Sequence, residues 1–481
     1  MVEDLGTLKS RSFISTISLF FQSGYSAALG LAANLILTIL LTPHIFGIYI
    51  TVLSIIAFLN YFSDIGLSGA LIQKKEITDD DLVTTFTIQQ GLTLILVAAG
   101  FIFTPFIQNF YKLPVEGAYL FWALLISFFI SSMKTIPSVL LERKIKFEKI
   151  VFVQAVENTI FYIAVSLLAI FGMGLRSFTI AVLLRAFVGF ILIYSISFWM
   201  PRVGISKISL RRLLSFGIPF QASSFLALFK DDLIILYLGK VLGFEALGYI
   251  GWAKKWADAP IRIIMDNVSR VLFPLIAKYQ DSKEKIRNIA ERTLYYQTAL
   301  IAPFYLGMIM IMKYMVDIIP HYNKWQPALP LFYIFSISSL LLSFSAPFMN
   351  LFNALGRVKI SFTFMAIFTV VTWSLTPILT HTYGYFGFPI THLVVSVIFL
   401  AVLLKAKTQF GFSFWRPIYK FLISAFIMTL VLYFMEKLVH SSSSLFVGGL
   451  VLIGGIVYLL MITVFFGLNI KKEIQSFVVR A

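Results

Sequence analysis

The chain of 481 residues has no cysteine, and only 13% of its residues are charged. The first absence removes disulfides and thiolate metal sites. Five histidines, His44, His321, His381, His392 and His440, are scattered without close ligand spacing, so no metal site is expected. Acidic residues are few, 22 against 39 Lys and Arg, for a net charge of +17. No polar stretch is long enough to form an independent soluble catalytic domain, so no catalytic residue is assigned. The opening MVEDLGTLKSR enters a long apolar run without a small-residue cleavage pattern. The first span is therefore expected to be retained.

What is present is apolar side chain, 59% of the total. The pattern predicts an all-α polytopic membrane protein with about 14 transmembrane helices. The expected spans are 15–41, 46–71, 84–109, 118–140, 147–171, 177–200, 214–238, 247–273, 293–319, 327–353, 360–380, 387–404, 417–436 and 444–467. Basic residues alternate from loop to loop. One side carries Lys9 and Arg11, Lys74 and Lys75, Arg143 to Lys149, Arg202 to Arg212, Lys278 to Arg292, Arg357 and Lys359, Lys405 to Lys420, and Lys471 to Arg480. The other holds Lys112, Arg176, Lys240, Lys324 and Lys437. Both termini are thus expected in the cytoplasm. Contacts with anionic lipid headgroups account for the net charge without a nucleic-acid partner.

Two stretches some 200 residues apart share an order of features. FFQSGYSAALG and IFGIYITVLSIIAFLNYFSDIGLSGALIQK form the first, IPFQASSFLALFK and ALGYIGWAKKWADAPIRIIMDNVSRVLFPLIAK the second. Gln22 matches Gln221, and Gly47-Ile48-Tyr49 matches Gly248-Tyr249. Residues 1–200 and 201–408 are expected to form two pseudo-symmetric six-helix lobes, with two additional transmembrane helices and a cytoplasmic tail over 409–481. Those two helices are expected to face lipid or form part of a hydrophobic groove.

Several spans hold ionisable residues, which hydrocarbon alone does not tolerate. In the span after Gly248, Lys254, Asp258, Arg262, Asp266 and Arg270 recur every four residues and form one drifting stripe on a helix. A polar path and a structural ion-pair ladder are the two readings of that stripe. Lys230, Asp231 and Asp232 are contiguous in the seventh span, where a local charge pair competes with proton or sodium coupling through either Asp. Gln154, Glu157 and Asn158 form a polar patch in the fifth span, and Arg185 in the sixth is the expected partner of Glu157. Lys134 and Lys313 are expected to reach headgroups along their methylene stems. Pro260, Pro274 and Pro347 mark expected bends. The 50 phenylalanines are spread too evenly to mark a sugar-stacking platform.

SDIGLSGALIQKKEITDDDL at 63–82, LLERKIKFEKI at 140–150 and the duplicated bundle resemble the polysaccharide-transporter and O-antigen flippase family of the multidrug/oligosaccharidyl-lipid/polysaccharide exporter superfamily. The resemblance implies a central cavity lined by the first two helices of each half, three of which here carry Asp64, Lys230, Asp231, Asp232 and the stripe. It also implies a cargo of sugars on a polyprenyl diphosphate, moved from the cytoplasmic to the outer leaflet of the bacterial inner membrane, without cofactor and beside other polysaccharide assembly proteins. Arg262, Arg270, Lys254 and Lys230 are the expected phosphate contacts. Asp258, Asp266, Asp231, Asp232, Asp64, Glu157 and Arg185 are assigned to gating or coupling. A drug or cation antiporter of the same superfamily and a membrane polysaccharide polymerase or ligase are the competing functions. The sequence leaves the oligomeric state open.

Overall fold

The structure, a computed structural model, describes residues 5–279, 282–438 and 443–468. Within its helices the side chains of residues 5–21, 23, 216, 219, 220, 222–224, 226, 227, 266–275, 277, 278 and 444 lie outside the described set.

Every regular element among the described residues is helical. The order is α1 (Leu5–Leu40), α2 (Pro43–Asp64), α3 (Leu67–Gln73), α4 (Asp79–Tyr111), α5 (Val115–Met133), α6 (Thr135–Arg143), α7 (Phe147–Ile170), α8 (Leu175–Ile196), α9 (Lys207–Asp231), α10 (Leu233–Leu242), α11 (Phe244–Lys278), α12 (Lys283–Ile318), α13 (Leu329–Ala354), α14 (Val358–Tyr383), α15 (Gly387–Phe410), α16 (Trp415–Leu438) and α17 (Ser444–Leu460). Ten helical stretches among the described residues are long and apolar enough to cross a membrane. The protein is a multi-pass membrane protein.

Helix starts follow local chemistry. Thr42 accepts a hydrogen bond from the Ile45 amide while Pro43, which has no N–H to leave unpaired, opens α2. At α4, Thr78 and Asp81 exchange side-chain and backbone bonds in a capping box. Lys74 then pairs with Asp81 at 2.5 Å.

Three of the expected spans are each two helices. The span 46–71 stops at Asp64, where Ile65 (φ 47°) and Gly66 (φ 75°) turn left-handed before α3 begins. A β-branched residue there costs of order 1–3 kcal/mol, held by the surrounding packing. The span 118–140 breaks at Lys134, three residues before Pro137. Pro137 has no N–H to offer the Met133 carbonyl, and the Tyr194 hydroxyl donates to that carbonyl instead, at 3.1 Å. The span 214–238 breaks at Asp232. By contrast α11 runs through Pro260 and Pro274 and α13 through Pro347. The interruptions therefore lie elsewhere than at the expected bends.

The chain packs as two compact units, Met1–Gly251 and Trp252–Ala481. In the first, α7 lies against α1 and α8, and α5 against α2, α4 and α8. Leu67, Leu71, Phe86, Ile136, Val139 and Leu213 close a core between α3, α4, α6 and α9. This unit extends past residue 200 because α9 and α10 pack on α2, α3 and α4. At its edge the Arg143 guanidinium donates to the carbonyls of Leu71 (2.6 Å), Ile72, Lys74 and Lys75 (2.8 Å), tying α6 to the C-terminal end of α3. In the second unit, α15 lies between α13 and α14, and α12 carries α16 and α17. Phe421, Ala425, Met428 and Leu432 of α16 are buried there, and the Tyr458 hydroxyl of α17 donates to the Ala299 carbonyl. The last two helices thus belong to the second packing unit, with Phe426 and Phe434 of α16 and Leu445 and Leu452 of α17 exposed.

Candidate functional site

In the first unit a cavity of about 650 Å³ is lined by Asn60, Tyr61, Asp64, Ser68, Gln89, Ser131, Ser132, Thr135, Gln221, Asp231 and Asp232, with few apolar neighbours. A second chamber of about 410 Å³ shares Ala57, Asn60, Phe128 and Ser131 with it and adds Tyr49, Ser127, Lys134, Glu157 and Arg185. The larger space is lined by hydroxyls, amides and carboxylates; the smaller one holds the cations.

All three helix interruptions face these chambers: Asp64 and Ser68 flank the first, Lys134 and Thr135 the second, and Asp231 and Asp232 the third. Interrupted helices expose backbone donors and acceptors that lipid cannot satisfy but a polar cavity can. Asp64 does part of this work, accepting from the Ser68 amide at 3.1 Å and from the Ser68 hydroxyl, so that α3 begins under a carboxylate. Tyr61 and Gln221 bind reciprocally: the Tyr61 hydroxyl donates to the Gln221 carbonyl at 2.6 Å and the Gln221 amide to the Tyr61 carbonyl at 2.8 Å. Its match in the repeat, Gln22, donates to Gln154 of α7.

Glu157 is buried in the smaller chamber with two cations. Its Oε1 accepts from Lys134 Nζ at 2.6 Å, and Arg185 Nε stands 3.9 Å from Oε2. The expected Glu157–Arg185 pair is present, but the shorter contact belongs to Lys134. Lys134 therefore turns inward instead of reaching headgroups, because the break at its own backbone aims it at α7. Gly189 on α8 leaves room for the carboxylate, since a Cβ at that position would overlap Oε1.

The second unit holds part of the charged stripe. Lys254 donates to Asp258 Oδ2 at 2.6 Å, and Ser339 of α13 donates to Oδ1 at 3.0 Å. Beside them the Tyr305 hydroxyl donates to the Ala257 carbonyl at 2.7 Å. Arg262 is exposed, and among the described residues no ion pair engages it. The side chains of Asp266 and Arg270 lie outside the described residues. Lys230 pairs with its neighbour Asp231 at 2.5 Å, the carboxylate being 63% exposed. Asp64, Asp231 and Asp232 are thus brought to one cavity, and Glu157 and Arg185 to its neighbour. Lys134 and the polar residues Asn60, Gln89 and Ser131 were missed; Pro137 was the signal for the first.

A model of the polysaccharide biosynthesis protein family matches residues 36–330. The chain is 26% identical over 402 residues to the lipopolysaccharide biosynthesis protein WzxC of Escherichia coli (strain K12), covering 81% of each. It is 22% identical over 342 residues to the succinoglycan biosynthesis transport protein ExoT of Rhizobium meliloti (strain 1021), covering 70% of this chain and 68% of that one. Among solved structures, the lipid II flippase MurJ in an inward closed conformation aligns with a TM-score of 0.77 at 16% identity, over 94% of this chain and 99% of that one. A multidrug resistance MATE family transporter in its inward-facing conformation aligns at 0.62, with 16% identity over 82% and 98%. At those identities the structural likeness is one of fold.

Proposed function

The chain belongs to the polysaccharide biosynthesis protein family, and we infer from that membership that it is a flippase for polyprenyl-diphosphate-linked oligosaccharide. It moves the repeat unit from the cytoplasmic to the outer leaflet of the bacterial inner membrane for O-antigen, capsule or other surface polysaccharide synthesis. It transports and performs no covalent chemistry. Other polysaccharide assembly proteins are its working partners.

The observation that carries this reading is the paired chambers, one lined by Asn60, Gln89, Ser131, Gln221 and carboxylates, the other holding Lys134 and Arg185. Amides, hydroxyls and carboxylates accept and donate to sugar hydroxyls in the first space. Lys134 and Arg185 outnumber Glu157 in the second, leaving one positive charge for a diphosphate oxygen. Arg262, Arg270, Lys254 and Lys230 are further phosphate contacts. Asp258, Asp266 and Glu157 hold those cations in position, and Asp64, at the break between α2 and α3, takes part in gating. Asp231 and Asp232 couple the movement to a proton or sodium gradient. The polyprenyl chain stays in lipid, which avoids moving many apolar carbons through water.

Counting α2–α3, α5–α6 and α9–α10 as one pass each supports a reading of fourteen passes, and the alternation of basic loops supports cytoplasmic termini. The passes are grouped as six over 1–200, six over 201–408 and two further over 409–481, a duplicated arrangement suited to alternating access.

The test is leaflet translocation of a fluorescent polyprenyl-diphosphate oligosaccharide in proteoliposomes, beside empty liposomes and a lipophilic cationic dye. Protein-dependent movement of the oligosaccharide, reduced at least tenfold by Arg262→Ala or by Lys134→Ala/Arg185→Ala in folded protein, is expected. Movement of the dye alone would establish the antiporter function instead.

A further inference from the structure

The second unit contains a pocket that the transport path does not use. It has a volume of about 490 Å³, and it lies between the N-terminal parts of α12 and α16, lined by Asn288, Glu291, Arg292, Tyr295, Tyr296 and Arg416. Among the described residues its one carboxylate is already engaged: Glu291 Oε1 accepts the Ser413 amide at 2.7 Å and lies 3.7 Å from Arg287 Nε. Among the described residues, neither Arg292 nor Arg416 has an ion-pair partner. Among the described residues the pocket therefore presents two guanidinium groups without an acid partner, beside the rings of Tyr295 and Tyr296.

Its depth follows from the sequence. Residues 293–312, which follow Arg292, contain no Asp, Glu, Lys or Arg, and neither do residues 421–435 of α16. Arg292 thus stands where the apolar part of α12 begins, and Arg416 about one turn before that of α16, with Lys420 between. Beside Arg416, Trp415 is 65% and Tyr419 39% exposed, as side chains are where an apolar ring meets lipid and a polar edge meets headgroups. A pocket with two unpaired guanidinium groups at that depth suits a group that is anionic, bidentate and anchored in the bilayer.

We propose that the α12/α16 pocket binds the phosphate of an anionic membrane lipid, whose headgroup bridges Arg292 and Arg416 while its acyl chains remain in the bilayer. The site lies on the basic side of the chain and acts independently of cargo. The occupant ties two helices whose contact lower down is apolar, through Phe421, Ala425 and Met428.

The test uses the full chain, purified and exchanged into nanodiscs of phosphatidylcholine with or without phosphatidylglycerol, with retained lipid read by native mass spectrometry after mild delipidation. Expected is a preference of at least tenfold for phosphatidylglycerol, abolished in Arg292→Gln/Arg416→Gln and kept in Arg211→Gln/Arg212→Gln, which removes equal charge from an exposed helix start. Equal loss in both pairs would overturn the site, as would no loss in the first. Displacement of the lipid by millimolar inorganic phosphate would overturn the lipid assignment in favour of a soluble phosphate ligand. A photoactivatable phosphatidylglycerol on the unsubstituted protein gives a readout free of folding effects: labelling is expected within 288–296 and 413–420, and labelling only elsewhere would refute the pocket. None of these readouts requires transport, so their failure is separate from failure of the flippase function.

Discussion

Gly47 and Gly248 occupy matching places in the two copies of the repeat, and each lies against the carbonyl four residues before the other. A Cβ on Gly47 would overlap the Phe244 carbonyl, and one on Gly248 would overlap the Pro43 carbonyl. Such reciprocity is what a local two-fold relation between helices produces. Here α2 and the first turns of α11 cross with their backbones in contact, and Gly251 against Ile50 extends the crossing. Only glycine permits that approach.

Adding one methyl group tests the crossing. Gly47→Ala and Gly248→Ala are each expected to lower the melting temperature by several degrees and transport at least tenfold, because backbone and not a flexible side chain must move. Gly91→Ala in α4, whose Cβ meets nothing within 4 Å, is expected to be neutral or stabilising by up to about 1 kcal/mol. Thermal denaturation alongside the proteoliposome assay checks this; equal behaviour of Gly47→Ala and Gly91→Ala would refute the tight crossing.

The Lys134–Glu157 pair should behave as one unit. Lys134→Met leaves a buried carboxylate with only the longer Arg185 contact, and destabilisation near the lower end of about 3–5 kcal/mol is expected. Lys134→Met/Glu157→Gln removes both charges and should recover much of that loss. A double-mutant cycle on unfolding free energies gives the coupling, and strict additivity would mean the two side chains do not interact.

Pro137 separates stability from function. Pro137→Ala restores an N–H opposite the Met133 carbonyl, so α5 and α6 can join, and Lys134 is drawn away from the chamber. The variant is expected to be at least as stable as the parent and slower in transport. Tyr194→Phe, which strips Met133 of its remaining donor, is expected to cost about 1–3 kcal/mol. Parent-like transport by a folded Pro137→Ala protein would show that the interruption is not needed.

Arg143 offers a test of geometry against charge. Its guanidinium reaches four carbonyls at once, which a single ammonium cannot reproduce. Arg143→Lys is therefore expected to lose nearly as much stability as Arg143→Ala, about 2–3 kcal/mol. Full retention by Lys would reduce the contact to simple attraction.

Long apolar periodicity made the helices readable, and the predicted 147–171 became α7 within a residue at each end. The Gly47 and Gly248 match was readable because backbone contact leaves no other residue type. The breaks at Ile65 and Asp232 were not readable. Ile65 holds a left-handed conformation that its own side chain disfavours, so the cause lies in packing outside the segment. Lys134 was placed at a helix end, where a lysine normally reaches for headgroups; its partner, Glu157, sits on another helix and leaves no trace in local spacing. The stripe on α11 was partly readable: spacing brings Lys254 onto Asp258, but Ser339, which completes the site, comes from α13.

The clamp between α6 and α3 changes what the basic loops do once the chain has folded. Arg143 counts among the cations that hold its loop on one side during insertion, yet in the finished protein it is spent on carbonyls, as Lys74 is on Asp81. The signal that sets direction is consumed by the structure it directs. Fewer mobile cations therefore remain at the bilayer surface than a net charge of +17 implies, and headgroup recruitment falls to those arginines the fold leaves unclaimed.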